Sequence, residues 1–202
     1  MHPHSFTELL SKKVKDSPEY RIFNYSDRWY TWKDIEELSA VMAQDLQSLG
    51  VKQKSHVGIC VKTSINWIIA FFAVQRLGAV SVLLNDTFSL PELLRACREA
   101  DVEYLCVGNQ IDISAAINAP AEQNDSAEQN DLHNTCIKCT YNIDEQNDFC
   151  LRRNEYALLK NNSAFPEAAL NADEKSMIIF TSGTTGKEKA IMLSLSNLSI
   201  PS

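Results

Sequence analysis

Apolar residues along this chain recur with two periods, near 3.6 and near 2, and the switching between them predicts most of its elements. Ser5-Phe-Thr-Glu8 has capping-box spacing and predicts a helix to about Lys15, ended before Pro18. Residues Tyr20 to Tyr25 and Arg28 to Tyr30 read as a short hairpin around Ser26-Asp27. Thr31-Trp-Lys-Asp34 caps an amphipathic helix whose stripe is Ile35, Leu38, Met42, Leu46 and Leu49, with Gly50 placed to close it. A strand follows from His56 to Val61. Ile65 to Leu77 is apolar nearly all round, so this helix is expected between two layers, with Gly78 ending it. Ala79 to Leu84 is a second strand, Ser89-Leu-Pro-Glu92 caps a helix carrying Leu93, Leu94, Cys97 and Ala100, and Val102 to Val107 returns as strand.

Strand and helix alternating over residues 56–107 predict an α/β fold, a mainly parallel sheet layered with helices. Ligands of such sheets gather beyond the carboxyl ends of the strands. One further strand fits that geometry. Met177 to Phe180 is a short apolar run that empties into six residues, Thr181 to Gly186, that are only Gly, Ser or Thr. Lys187 and Lys189 follow.

Such a loop offers closely spaced backbone N–H groups and the hydroxyls of Thr181, Ser182, Thr184 and Thr185. Gly183 and Gly186 permit φ > 0, which lets successive N–H groups converge on one anion. Those are the parts of a polyphosphate cradle. The Walker spacing fails, because only two residues separate Gly183 from Gly186. Most Gly/Ser/Thr clusters are plain surface turns; an unbroken run of six before Lys-x-Lys is much less common.

The segment Phe180-Thr-Ser-Gly-Thr-Thr-Gly-Lys-Glu-Lys189 resembles the signature loop of the AMP-forming adenylating enzymes, among them acyl-CoA synthetases, peptide-synthetase adenylation domains and luciferases. Tyr30-Thr-Trp-Lys-Asp-Ile35, Leu49-Gly-Val51, Val57-Gly-Ile59 and Ala73-Val-Gln-Arg-Leu-Gly-Ala-Val-Ser-Val-Leu-Leu-Asn85 are similar to the opening motifs of acyl-CoA synthetases. The likeness covers roughly residues 20–107 and 173–200.

The resemblance implies the first part of the large domain of such an enzyme, and a parent reaction that joins a carboxylic acid to ATP as an acyl-adenylate. Coenzyme A then takes the acyl group. It implies that Thr181, Ser182, Gly183, Thr184, Thr185, Gly186 and Lys189 hold the β- and γ-phosphates, with Lys187 a solvated surface lysine. A medium- or long-chain fatty acid is the expected substrate. The adenine pocket, the acidic residue associated with Mg2+, the ribose aspartate and the C-terminal domain with its lysine are expected beyond residue 202. No general base or nucleophile and no metal ligand is therefore assigned, and adenylation by this stretch alone is not expected. Two other readings stay open: part of an amino-acid or aryl-acid adenylation domain, and a non-catalytic nucleotide-binding or interaction module whose exposed core another chain covers.

Three departures bear on the site. The family commonly has proline at the position of Glu188, glycine at that of Ala190 and histidine at that of Leu195. A carboxylate about 7 Å from a phosphate charge, at an effective dielectric constant near 20, is repelled by roughly 2 kcal/mol. Glu188 pointing outward would cost much less, and Ala190 costs nothing unless its position needs φ > 0.

Composition narrows the rest. With 202 residues and 45% hydrophobic content the chain can bury a real core. Its longest apolar run, Trp67 to Val74, is far too short to span a membrane, and Met1 to Glu8 lacks the pattern of a signal peptide, so a cytoplasmic location is the default. Of the net charge of −7, residues 118–150 carry −6, and no basic stripe suggests nucleic acid. In that segment Glu-Gln-Asn-Asp recurs at 122–125, 128–131 and 145–148, which predicts a solvated polar insert within a domain spanning residues 1–202. Cys136-Ile-Lys-Cys139 is one ligand pair, whereas structural zinc uses two.

Overall fold

Among the described residues, three of the longer helices begin where a Ser or Thr side chain accepts from a backbone N–H that the helix leaves without a partner. The computed structural model of the chain describes residues 5–108, 113, 136–143, 174–182 and 188–198. Ser5 Oγ accepts from the Glu8 N–H at 3.0 Å to start α1 (Phe6–Asp16). The box that opens α2 (Trp32–Ser48) is complete: Asp34 N–H donates to Thr31 Oγ1 at 3.2 Å and Thr31 N–H to Asp34 Oδ2 at 2.7 Å. Ser64 caps α3 (Ile65–Arg76), and at α4 (Leu90–Glu99) Ser89 N–H donates to Glu92 Oε2 at 2.8 Å. Ser26 and Asp27 both have positive φ, 50° and 61°, which is the primed turn that a two-residue hairpin requires between β1 (Arg21–Tyr25) and β2 (Arg28–Thr31). Along α2 the expected stripe is buried except at its last member, Leu49, which the chain leaves 40% exposed as it turns at Gly50 (φ +99°).

Among the described residues six strands form the central sheet: β3 (His56–Cys60), β4 (Val80–Leu83), β5 (Tyr104–Gly108), β6 (Cys139–Ile143), β7 (Lys175–Ser182) and β8 (Glu188–Ser194). Their order is β6-β5-β3-β4-β7-β8. All neighbours run parallel except β7 and β8. The mainly parallel α/β sheet is thus as the alternation predicts. Helices cover both faces, as parallel sheets require. On one face α1, α2 and α3 pack over Val57, Ile59, Cys106 and Met177; on the other, α4 packs over Val80, Val82, Leu105, Val107 and Ile178. The helix α3, apolar nearly all round, lies between α2 and the sheet, with only Trp67 and Ile68 partly exposed.

Two strands escape the sequence pattern. Within the segment read as a solvated insert, Cys139–Ile143 adds to β5 as β6, with Ile143 and Ile137 buried and Tyr141 Oη donating to Asp45 Oδ2 at 2.6 Å. The solvated reading therefore fails for these residues: Thr140, Tyr141 and Ile143 have strand chemistry that the surrounding polar repeats conceal. The repeats at 122–125, 128–131 and 145–148 lie outside the described residues. β8 is the second, a seven-residue strand that turns the loop after Phe180 into the tip of a hairpin. A short helix, α5 (Leu195–Leu198), follows it.

Gly58 leaves no room for a side chain in the sheet. A Cβ there would stand 2.6 Å from Leu105 Cδ1 and 2.9 Å from Leu84 Cδ1. Gly58→Val is expected to cost about 1–3 kcal/mol by overpacking, read as a lower urea midpoint with an unchanged slope. Because β6 is a packed strand, Ile143→Ala should cost about 2–5 kcal/mol. A change under half a kcal/mol in the same titration would return residues 139–143 to the solvated insert.

Candidate functional site

The site begins with what holds β7. On one side, β4 pairs with it through Ser81↔Met177, Val82↔Ile178 and Leu83↔Ile179; on the other, β8 closes the ladder at Thr181↔Lys189 and Ser182↔Glu188. The hairpin therefore leaves the carboxyl end of the sheet, beside the turn that follows β4. In that turn the Thr87 N–H and Oγ1 both donate to Asn85 Oδ1, at 3.0 and 2.9 Å. The helices after β3 and β4 depart to opposite faces, the switch point at which open α/β sheets place their ligands, one strand away from the hairpin.

Of the residues singled out in the sequence, Thr181 and Lys189 are brought opposite each other across the ladder, Thr181 half-buried and Lys189 exposed. Ser182 is paired through its backbone with Glu188. Gly183, Thr184, Thr185, Gly186 and Lys187 lie outside the described residues. The two ladder ends fix where those five residues must start and return, on strands about 5 Å apart.

The departures after the loop can be read directly. Ala190 sits in the extended ladder opposite Phe180 and is not among the residues with positive φ, so replacing glycine there introduces no backbone strain. Leu195 is buried at the start of α5, and this turn is held by Asn197, whose Oδ1 accepts from the Ser194 N–H and Oγ, both at 3.0 Å. An apolar side chain thus packs where the resemblance would have a polar ring.

A polar network that the sequence reading missed lies at the root of β7. Gln75 of α3 donates from Nε2 to Ser81 Oγ at 2.9 Å and to Ser176 O at 3.0 Å, while Ser176 Oγ donates to Gln75 Oε1 at 2.8 Å. Next to it Arg76 turns the other way: its Nε donates to Ser39 Oγ at 3.0 Å and its guanidinium pairs with Glu36. The signal was present as two adjacent polar residues ending an apolar helix.

Among the described residues no three His, Cys, Asp or Glu side chains converge as metal ligands. Nor do the buried thiols offer a nucleophile. Burial pushes Cys60, Cys97 and Cys106 up to about 12, with the Asp86 carboxylate adding to the shift at Cys60. At pH 8 Ellman's reagent should leave these three unmodified in the folded chain and label them once urea unfolds it; rapid native labelling of any of them would contradict their packing.

A mainly parallel sheet layered with helices, with an antiparallel hairpin at the carboxyl end of β7, makes this an α/β protein. The family model of the AMP-binding enzymes matches residues 10–200, and the chain belongs to that family. Among curated relatives, a 4-coumarate:CoA ligase 1 of Petunia hybrida is 26% identical over 168 residues, covering 81% of this chain and 27% of its own length. Acyl-CoA ligase sidI of Aspergillus fumigatus is 26% identical over 200 residues, covering 95% and 33%. Of solved structures, a Mycobacterium tuberculosis fatty acyl CoA synthetase aligns with a TM-score of 0.68 at 18% identity, over 95% of this chain and 35% of that one. The inhibitor-bound N-terminal domain of FACL13 from M. tuberculosis gives 0.69 at 20%, over 95% and 44%. At these identities the structures establish the fold. The chain spans about a third of the length of the curated relatives it matches.

Proposed function

We propose that the β7–β8 hairpin grips the β- and γ-phosphates of ATP while a carboxylate attacks the α-phosphate and displaces pyrophosphate, giving an acyl-adenylate whose acyl group then passes to the thiol of coenzyme A with release of AMP. The observation that carries this reading is the union of two facts: the Gly/Ser/Thr run belongs to a member of the AMP-binding family, and its stems leave the carboxyl end of a parallel sheet. In the attack, charge accumulates on the departing pyrophosphate. Backbone N–H groups of Gly183 and Gly186 and the hydroxyls of Thr181, Ser182, Thr184 and Thr185 would meet that charge as hydrogen-bond donors. Lys189 adds a flexible point charge. Mg2+, when bound, would neutralise the phosphates; its ligands belong to parts of the protein outside the described residues, and the steps assigned here do not run through it.

The acid is the open choice within the reading. The sequence motifs suggest a medium- or long-chain fatty acid, while the names of the plant relatives favour an aryl acid. The rest of the family's length would supply the acid pocket and cover the sheet edge at β8, where Ile191 and Met192 are 41% and 55% exposed. A cytoplasmic location fits this chemistry. Among the described residues no helix is long and apolar enough to cross a membrane.

Lys189→Ala should weaken ATP binding roughly tenfold to hundredfold by calorimetry, the loss of one hydrogen bond to a charged group. Lys187→Ala should change it less than threefold. Equal affinity for wild type and Lys189→Ala would end the phosphate role of Lys189. In a chain extended to the family's length, pyrophosphate exchange should depend on the acid supplied; exchange with coumarate and not with a fatty acid would select the aryl reading.

A further inference from the structure

We propose that Gln75 is a positioning residue: its buried amide sets the register in which β7 docks against β4, and so decides where the hairpin tip emerges. The consequence for nucleotide rests on the function proposed above; the register itself does not.

Hydrophobic burial excludes only one direction of slip, the one that would bury Lys175 in place of Met177; the opposite slip brings Ile179 and Phe180 to the places of Met177 and Ile178. Met177-Ile-Ile-Phe180 is apolar throughout, with Met177 and Ile179 packing toward α3 and Ile178 and Phe180 toward α4. Sliding β7 by two residues would keep every side chain on its own face, because the strand repeats every two. The slide would nonetheless move the hairpin by about 6.6 Å. Something other than apolar area must distinguish the two states.

The polar network does. Gln75, Ser81 and Ser176 are 1%, 0% and 4% exposed. Ser81 lies on β4, and its Cα partner on β7 is Met177. Ser176 sits where the β7–β8 pairing steps from Lys175↔Ser194 to Met177↔Leu193, two residues against one. That is a bulge, and it re-aims Ser176 so that both its carbonyl and its hydroxyl reach the Gln75 amide. Both Nε2 hydrogens and Oε1 are used, which satisfies the amide. A two-residue slide in either direction withdraws Ser176 and leaves buried polar groups facing hydrocarbon, a state that folding penalises heavily. A satisfied buried polar group that selects one register among hydrophobically equivalent ones is a known use of such groups.

The test uses the full 202-residue chain with methyl labelling. Wild type should give NOEs between the Val82 methyls and Ile178. In Gln75→Leu/Ser81→Ala/Ser176→Ala, where no polar group is left to object, a second set should appear between Val82 and the Phe180 ring, with ATP affinity at least tenfold weaker. A single, unshifted Val82–Ile178 set in that variant overturns the proposal whatever the affinity. Should the triple variant fail to fold, Ser176→Ala decides by hydrogen exchange. Amides of Met177 to Ile179 should exchange at least tenfold faster while β3 and β5 keep their rates; an equal change in all three strands would mark a merely structural residue and overturn it. If wild type binds no ATP, the loop reading falls while the NOE result stands.

Discussion

The burial of α3 between α2 and the sheet is the constraint on which the rest of this structure depends. An apolar helix with no polar face has to be enclosed, so α2 and α1 cover it from one side and β3, β4 and β7 form its floor from the other. Its two terminal polar residues then carry specificity that apolar packing lacks. Gln75 reaches down to the sheet and Arg76 up to α2, so one turn of helix ties three layers at defined positions.

Parallel pairing shapes the site in turn. Strands β3, β4, β5 and β7 all end at one rim, and the connections from β3 and β4 travel back along the faces as α3 and α4 before the next strand begins. Among the described strands of the central sheet only β7 is followed by an antiparallel neighbour, so both ends of its connection lie at the rim. That exception is what leaves a short Gly/Ser/Thr segment free of a crossover, held at both ends by a ladder. The replacements at Ala190 and Leu195 are absorbed by the same arrangement, one in extended backbone and the other in a buried turn.

Much of this was legible beforehand because local chemistry coincides with the tertiary result. The caps at Ser5, Thr31 and Ser89 act over three residues, and the turn at Ser26-Asp27 over two, so no distant contact is needed to specify them. Strands β6 and β8 were not, and for different reasons. Cys139–Ile143 is short and flanked by acidic repeats, so its half-apolar pattern only acquires meaning beside the open edge of β5. Glu188–Ser194 is apolar at its centre but begins with Glu-Lys, which reads as the end of a loop until it is paired with β7.

The chain by itself therefore determined its α/β class, its helix boundaries and the residues of the candidate phosphate loop, because capping, periodicity and glycine placement are properties of neighbouring residues. Only the tertiary structure decided that β8 returns antiparallel, that β6 extends the sheet, and that Gln75, Ser81 and Ser176 meet in one buried network. Those outcomes join residues up to about a hundred positions apart, and their energy comes from hydrogen bonds and packing that exist only once the layers have closed.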